Sequence, residues 1–373
     1  MRTVFLVLVM SCCLPVMAAV VQPLEGERIQ GGSVSILDDG LVAIDGRKVA
    51  LADCDWLAFR DPDLAPVPRG AQALSLVLAD GSWLPADVIE AGADDALRVT
   101  LIGGSIELEL GTVVGWGTET WLAGLVDSEQ DVVQLGAERY RGAIQGISGG
   151  KLAIEVAELG LIELPLERVS GARLAEAAEA PEHLVLAANL SAGRPPVLLR
   201  PGPELTLNAA PTVVMPAPSG RLRVDGGRRV WLSDLEPSAV TEQGAFGVTW
   251  PYSCDRNLEG GPISLRSQGF QRGLVLHSEA ALTWKLDGGF VRMVATVGID
   301  DLVASEGDCS ITVLLDGVVK WEQASVRGAA EPMLLDIDCT GAQKLEVKVG
   351  FGERYDIGDH LALAGAYLIR AKP

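Results

Sequence analysis

The chain is cut into short pieces. Forty-three glycines and twenty prolines among 373 residues leave little room for long helices, since each inside a helix costs roughly 1–3 kcal/mol against alanine. Between the breaks lie brief apolar runs: Val34–Ile36, Leu74–Leu78, Leu97–Leu101 and Ile106–Leu110. The breaks carry turn pairs: Asp39-Gly40, Asp45-Gly46, Asp80-Gly81 and Gly103-Gly104. Apolar runs of this length bounded by turn residues read as strands. The class expected is all-β. One stretch, Ala172–Ala180, is Ala/Glu-rich and ended by Pro181, which suits a short linker helix.

The strands recur in blocks. Leu76–Trp116 and Val133–Arg173 share an order of strand, turn, strand, glycine-bearing turn, strand, turn and a last strand reached through ELEL or ELPL. Val34–Phe59 reads as an incomplete copy. Blocks of short strands like these predict a curled sheet or SH3-like barrel, which closes its own edges. Units this small bury little core and should pack together. From Trp231 the strands lengthen: Gly273–His277, Ala281–Leu286, Val291–Val297, Ser310–Leu315, Val318–Gln323, Met333–Ile337, Lys344–Val349 and Leu361–Ile369. They fit a two-sheet jelly roll. The expected divisions are a leader at 1–18, a partial β unit at 19–70, and small β units at 71–125 and 126–180, the latter ending in the linker helix. A Pro-rich connector or degenerate β unit follows at 181–230, then a β-sandwich at 231–373.

Arg2, the apolar run Val4–Met10 and the small residues of Val16-Met17-Ala18 have the form of a secretory signal cleaved before Ala19. That run is shorter than the ~20 residues a membrane span needs. A secreted, periplasmic or envelope-associated protein without a transmembrane segment is expected. Thirty basic against fifty acidic residues leave a net charge of −20, which would repel phosphate backbones and disfavours nucleic acid as a partner. Cys54, Cys254, Cys309 and Cys339 remain after the leader, and four cysteines allow three pairings. Cys309 with Cys339 is the preferred pair, since both flank strands of one module.

Motifs for catalysis are missing. The sequence has no GxSxG elbow and no HExxH, and its histidines are His183, His277 and His360. Acid pairs such as Asp38-Asp39 and Asp94-Asp95 read as solvated turns, since glycoside hydrolysis needs carboxyls about 5–10 Å apart across a pocket. Trp250 lies in the loop TWPYSCDRN and is the best candidate for an exposed platform, because sugars present apolar faces to indole rings. Trp284 and Trp321 alternate within strands and are expected in the core, as are Trp56, Trp83, Trp116 and Trp121 in the repeats.

The ordered set LSDLEP at Leu232–Pro237, GGP at Gly260–Pro262, GLVLHS at Gly273–Ser278, ATVGIDD at Ala295–Asp301 and GDH at Gly358–His360 resembles the NPCBM family of carbohydrate-binding modules. The resemblance covers residues 231–373 and implies a galactose-binding-like β-sandwich that binds sugar. It implies a ligand site in loops at one end, drawing on Trp250, His277, Asp300, Asp301, Asp359 and His360. Each has a structural alternative: the Asp300-Asp301 pair could bond sugar hydroxyls, hold a structural calcium through oxygen, or cap a loop. His277 could donate to a hydroxyl or satisfy a bend. Where the family pattern continues with a tryptophan after His360, this chain has Leu361 and Leu363, which removes one stacking surface. The function expected is an exported, non-catalytic carbohydrate-binding protein with no cofactor. The alternatives are an envelope assembly protein with protein partners and, behind it, a glycosidase.

Amino-terminal sequencing of the protein from its native host should begin at Ala19 or within two residues of it. An intact Met1–Ala18 would contradict the reading of the leader.

Overall fold

In a computed structural model the described residues are 19–372, except positions 61, 67, 68, 71, 94, 102, 103, 124–129, 176–183, 191–194, 246, 304, 305 and 354. The expected leader, Asp94, His183 and most of the linker helix fall outside them. The described start of that helix is extended chain: Val169–Arg173 is a strand whose Ala172 pairs with both Trp116 and Val133.

Three successive stretches follow one plan. A three-stranded meander leads into a single 3-10 turn and then a closing strand. In the first, Val34–Ile36, Leu41–Ile44 and Arg47–Ala50 precede the turn Leu51–Asp53 and the strand Cys54–Ala58. In the second, Val88–Ala91, Ala96–Leu101 and Gly104–Glu109 precede Leu110–Thr112 and Val113–Thr118. In the third, Glu138–Ser148, Lys151–Val156 and Gly160–Pro165 precede Leu166–Arg168 and Val169–Arg173. Each turn begins with a buried leucine, Leu51, Leu110 or Leu166, which joins the shared apolar cluster.

The units are joined through their closing strands. Val113–Thr118 pairs with Val169–Arg173. A Cβ on Gly171 would approach the Trp121 ring to 2.8 Å, so only glycine lets this seam close. Cys54–Ala58 pairs with Leu222–Asp225, so the Pro-rich stretch contributes to a sheet with the first unit. Its strands Val185–Ala188, Val197–Arg200, Leu205–Leu207, Val214–Met215 and Leu222–Asp225 share that sheet with Ala19–Pro23 and Ile29–Gly31. The second and third units are thus nested between chain segments that pair with each other. One apolar cluster, including Leu57, Leu76, Leu97, Val133, Leu152, Leu186 and Leu222, runs through all of them.

The C-terminal part is a sandwich of two antiparallel sheets. One runs in the order Ser253–Cys254, Gly273–Leu276, Leu361–Arg370, Phe290–Ile299, Met333–Asp338, with Arg229–Trp231 also on Leu361–Arg370. The other runs Ala239–Glu242, Ala280–Lys285, Lys344–Phe351, Asp308–Leu315, Val318–Arg327. Leu282, Trp284, Met293, Val297, Val313, Leu335, Val347 and Leu363 fill the space between them. Trp284 is buried as expected, and Trp321 packs half-buried against the same cluster.

Arginines clamp the sandwich to the first unit. Arg228 Nη1 donates to Glu25 and to Asp53, each at 2.8 Å, and its Nε donates to the Arg370 carbonyl at 2.8 Å. Arg229 pairs with Asp55, and Arg292 donates to the Leu24 carbonyl.

The expected Cys309–Cys339 bond is not made. All of the described cysteines are free thiols. Cys309 lies at the start of the strand Asp308–Leu315, whereas Asp338 and Thr340, the neighbours of Cys339, line a cleft with Leu315 at the other end of that strand. Six strand residues separate those ends by about 20 Å, far beyond the Cα separation a disulfide allows. Burial pushes the Cys54 and Cys339 thiols up to about 12, so neither is reactive.

Arg228→Ala should lower stability by roughly 2 kcal/mol, because hydrogen-bonded charges lose their partner in a largely buried place. Arg228→Lys should recover only part, since an ammonium lacks the guanidinium fork. Urea unfolding measures both. Losses below about 0.5 kcal/mol, the size of a neutral surface change, would show that the clamp is idle.

Candidate functional site at the loop end of the sandwich

Strand register builds the site. Leu361 pairs with Leu276 on one side and with Ile299 on the other. The next residues along the three strands, His277, His360 and Asp300, therefore emerge side by side, at the ~5 Å spacing of paired strands. Above them crosses the segment from Gln243 to Tyr252, which carries the chain from the strand Ala239–Glu242 of one sheet to Ser253–Cys254 of the other. Its ends are tied down: Gln243 and Glu279 exchange backbone hydrogen bonds, and the Tyr252 amide donates to Glu242 Oε1.

That crossing brings Trp250 over the histidines. Its ring stacks on His277 at 5.5 Å with an interplanar angle of 21°. His360 stands 6.0 Å from Trp250 and 5.6 Å from His277. Both histidines are buried, while Trp250 remains 39% exposed. His277 Nδ1 lies 2.9 Å from the Ser278 carbonyl. A carbonyl only accepts, so Nδ1 donates and Nε2 of the neutral ring is left as an acceptor. His360 Nδ1 is buried with no partner among the described residues. Burial, followed by the neighbouring His277, holds the His360 pKa below its ordinary value, against the opposing pull of Asp300 and Glu259.

The carboxylates support this cluster from behind. Asp359 accepts from the Ser278 hydroxyl and from the Asp308 amide, and burial still raises it above the usual Asp range. Asp300 accepts from the Ser264 and Leu302 amides, both at 3.0 Å. Asp301 accepts from Ser264 Oγ at 2.6 Å and from the Arg266 and Ser267 amides at 2.8 and 2.7 Å. Burial raises the Asp301 carboxyl, yet these bonds outweigh it and hold the pKa below the ordinary value.

Of the residues singled out from sequence, the structure thus brings Trp250, His277 and His360 into contact, with Asp300 and Asp359 beside them. Asp301 instead organises the turn at Arg266-Ser267, both of which have positive φ. Its three bonds realise the loop-capping alternative. Among the described residues no group of three or more His, Cys, Asp or Glu side chains is placed to hold a metal ion.

Sequence reading missed Asn257 and Glu259. Asn257 Oδ1 accepts from the Glu259 and Gly261 amides, and its Nδ2 donates to the Pro262 carbonyl. This folds a tight loop that places Glu259 near His360. The signal was the asparagine before a Gly-Gly pair, a turn-forming arrangement. A cleft of about 590 Å³ lies at the other end of the sandwich, between Leu315-Asp316 and Asp338–Ala342. Its acids are engaged elsewhere: Asp316 with the Gln343 and Lys344 amides, Asp336 with Arg292 and Asp338 with the Thr340 amide.

Residues 228–369 match the NPCBM/NEW2 domain. This part of the chain carries the NPCBM/NEW2 domain. Among solved structures it is similar to CBM51 from the Clostridium perfringens GH95 in complex with methyl-galactose, at 21% identity and a TM-score of 0.35, over 38% of this chain and 99% of that one. The tandem CBM51 modules of Sp3GH98, a family 98 glycoside hydrolase from Streptococcus pneumoniae, are similar at 13% identity and a TM-score of 0.34, over 91% of this chain and 88% of that one. The CBM51-2 and INT domains of Clostridium perfringens ZmpB are similar at 22% identity and a TM-score of 0.35, over 42% of this chain and 35% of that one. No curated protein matches the chain. Among the described residues no helix is long and apolar enough to cross a membrane.

Asp301→Asn should destabilise the NPCBM domain by roughly 1–3 kcal/mol at neutral pH, the range for bonds to a charged acceptor. A carboxyl held below its ordinary value adds stability above that value and loses it as pH falls through the lowered one. Wild-type stability should therefore drop more steeply than the variant's below about pH 4, the ordinary Asp range. Urea titrations across pH check this, and parallel curves would refute it.

Proposed function

We propose that the chain is an exported, non-catalytic protein that captures a glycan at the Trp250, His277 and His360 face of its NPCBM domain. The observation that carries the reading is this cluster of rings at the loop end. A half-exposed indole is a surface on which the apolar face of a sugar can lie. Two imidazoles beside it supply hydrogen-bonding nitrogens, and the buried Nδ1 of His360 has no partner among the described residues. Strand ends hold the two histidines, which keeps their share of the ordering cost of binding low.

The nearby acids favour binding over proton transfer. Asp300, Asp301 and Asp359 each accept from backbone amides or serine hydroxyls. That use fixes loops and differs from the paired, pocket-facing carboxyls of a glycosidase. The tandem β units, clamped through Arg228, would then present the module at a set angle. Export rests on the leader-like start of the sequence.

The test is a glycan array followed by calorimetry with the whole mature chain at pH 7.5. Saturable binding to a glycan is expected. Trp250→Ala and His360→Ala should each weaken it at least tenfold, about 1.4 kcal/mol. Thr340→Ala, in the distant cleft, should leave it unchanged. Absence of binding to any glycan, or equal affinity in all three variants, would overturn the proposal. Capture of one specific protein in place of a glycan would favour the envelope-assembly reading.

A further inference from the structure

The buried imidazoles raise a question of regulation. His277 and His360 end adjacent strands, sit 5.6 Å apart and are both 6% exposed. The Trp250 segment covers them. Charge on these rings is costly at that separation away from water, and the Asp300 and Asp359 carboxylates beside them are already taken up by other donors. Resting on the glycan-binding reading, we infer that the His277–His360 pair is an acid-sensitive latch for the Trp250 segment. With both rings neutral the segment is seated and the site formed. With His360 protonated the segment lifts and the glycan is released.

Acidic side chains face the pair from each packed side. Glu279 follows His277 and is bonded through its backbone to Gln243. Asp359 precedes His360 and is occupied with Ser278 and Asp308. Asp300 faces His360 from the third strand end but accepts from two amides and from Asn257. Glu259 approaches from the Asn257 loop and is exposed. The acids that attract a proton to His360 are therefore already committed to amides or solvated. Burial and His277 outweigh them, as the lowered His360 pKa agrees. The segment itself brings no cation or anion over the rings.

The segment is also built to move. Its described residues between Gln243 and Tyr252 form no strand, and Gly247 has a φ of +76°. Val248 is 59% exposed. Beyond its ends, its described anchor is the Ala245 amide on Asp356 Oδ2 at 2.9 Å. Trp250 on His277 supplies much of the remaining hold.

The sign of the effect follows from linkage. Opening exposes His360 and lets it take up a proton at its ordinary value, near 6.5. The seated state is therefore fully favoured above that pH and weakens below it. The ratio of seated to open should fall towards tenfold per pH unit, the slope for one proton.

The experiment uses the whole mature chain labelled with 5-fluorotryptophan, with the Trp250 resonance assigned by its loss in Trp250→Phe. Without glycan, that resonance should move from a seated to an open position between pH 7.5 and 5.0. His360→Gln, which cannot be protonated, should flatten the change. A Trp250 resonance that does not respond to pH in the wild type overturns the latch, whatever the variant does. An unaltered transition in a folded His360→Gln overturns the assignment to this ring. Glycan affinity at pH 7.5 and 5.0 separates this proposal from the one beneath it. No binding at either pH with a responsive Trp250 would sink the glycan reading and leave the latch. Equal binding at both with a still Trp250 would sink the latch alone.

Discussion

The strand Leu361–Arg370 is hydrogen-bonded along both edges, and the rest of the structure is arranged from it. On its flanks lie Gly273–Leu276, Phe290–Ile299 and Arg229–Trp231. Nearly every side chain along it is buried. At its start the register brings His277, His360 and Asp300 level. At its end the Arg370 carbonyl receives Arg228, which also holds Glu25 and Asp53 of the first unit. A slip of one residue would turn its core side chains outward. It would also separate the ring cluster. One ladder thus carries both the ring cluster and the join to the tandem units.

Burial of polar groups at the loop end divides into satisfied and unsatisfied parts. The acids are satisfied: they receive backbone amides and serine hydroxyls, which keep the strand ends from fraying. His360 Nδ1 is not. A buried polar atom without a bond costs on the order of 1–3 kcal/mol, and such a cost is tolerated where a ligand or a change of state relieves it. The same unsatisfied ring underlies both the binding reading and the acid-sensitive latch.

The tandem β units show how small meanders reach stability. Each buries too little alone, and the remedy is a shared core with closing strands paired in nested fashion. Glycine at the Trp121 seam and the leucine heading each 3-10 turn are the local devices that allow it. The outcome is a continuous body behind the NPCBM domain rather than independent beads on a linker.

Much of this was legible from the chain alone, because turn pairs and short apolar runs are local signals. Alternation located the strands of the sandwich to within a few residues, and the block repeat marked the units. Trp250, His277 and His360 could be named because strand ends and loops are where side chains stay free of the core. Several features depended on distant partners instead. The Pro-rich stretch gave weak local signals, yet its strands form by pairing with Cys54–Ala58, more than a hundred residues away. Cys309 and Cys339 looked like partners because they share a module, but opposite strand ends keep them apart. Asp301 read as a ligand candidate until the amides of Arg266 and Ser267 were seen to reach it. Residue type and turn spacing determined which strands would form and which groups could do chemistry. Register and loop crossing, set by packing between residues far apart in sequence, decided which of those groups would meet.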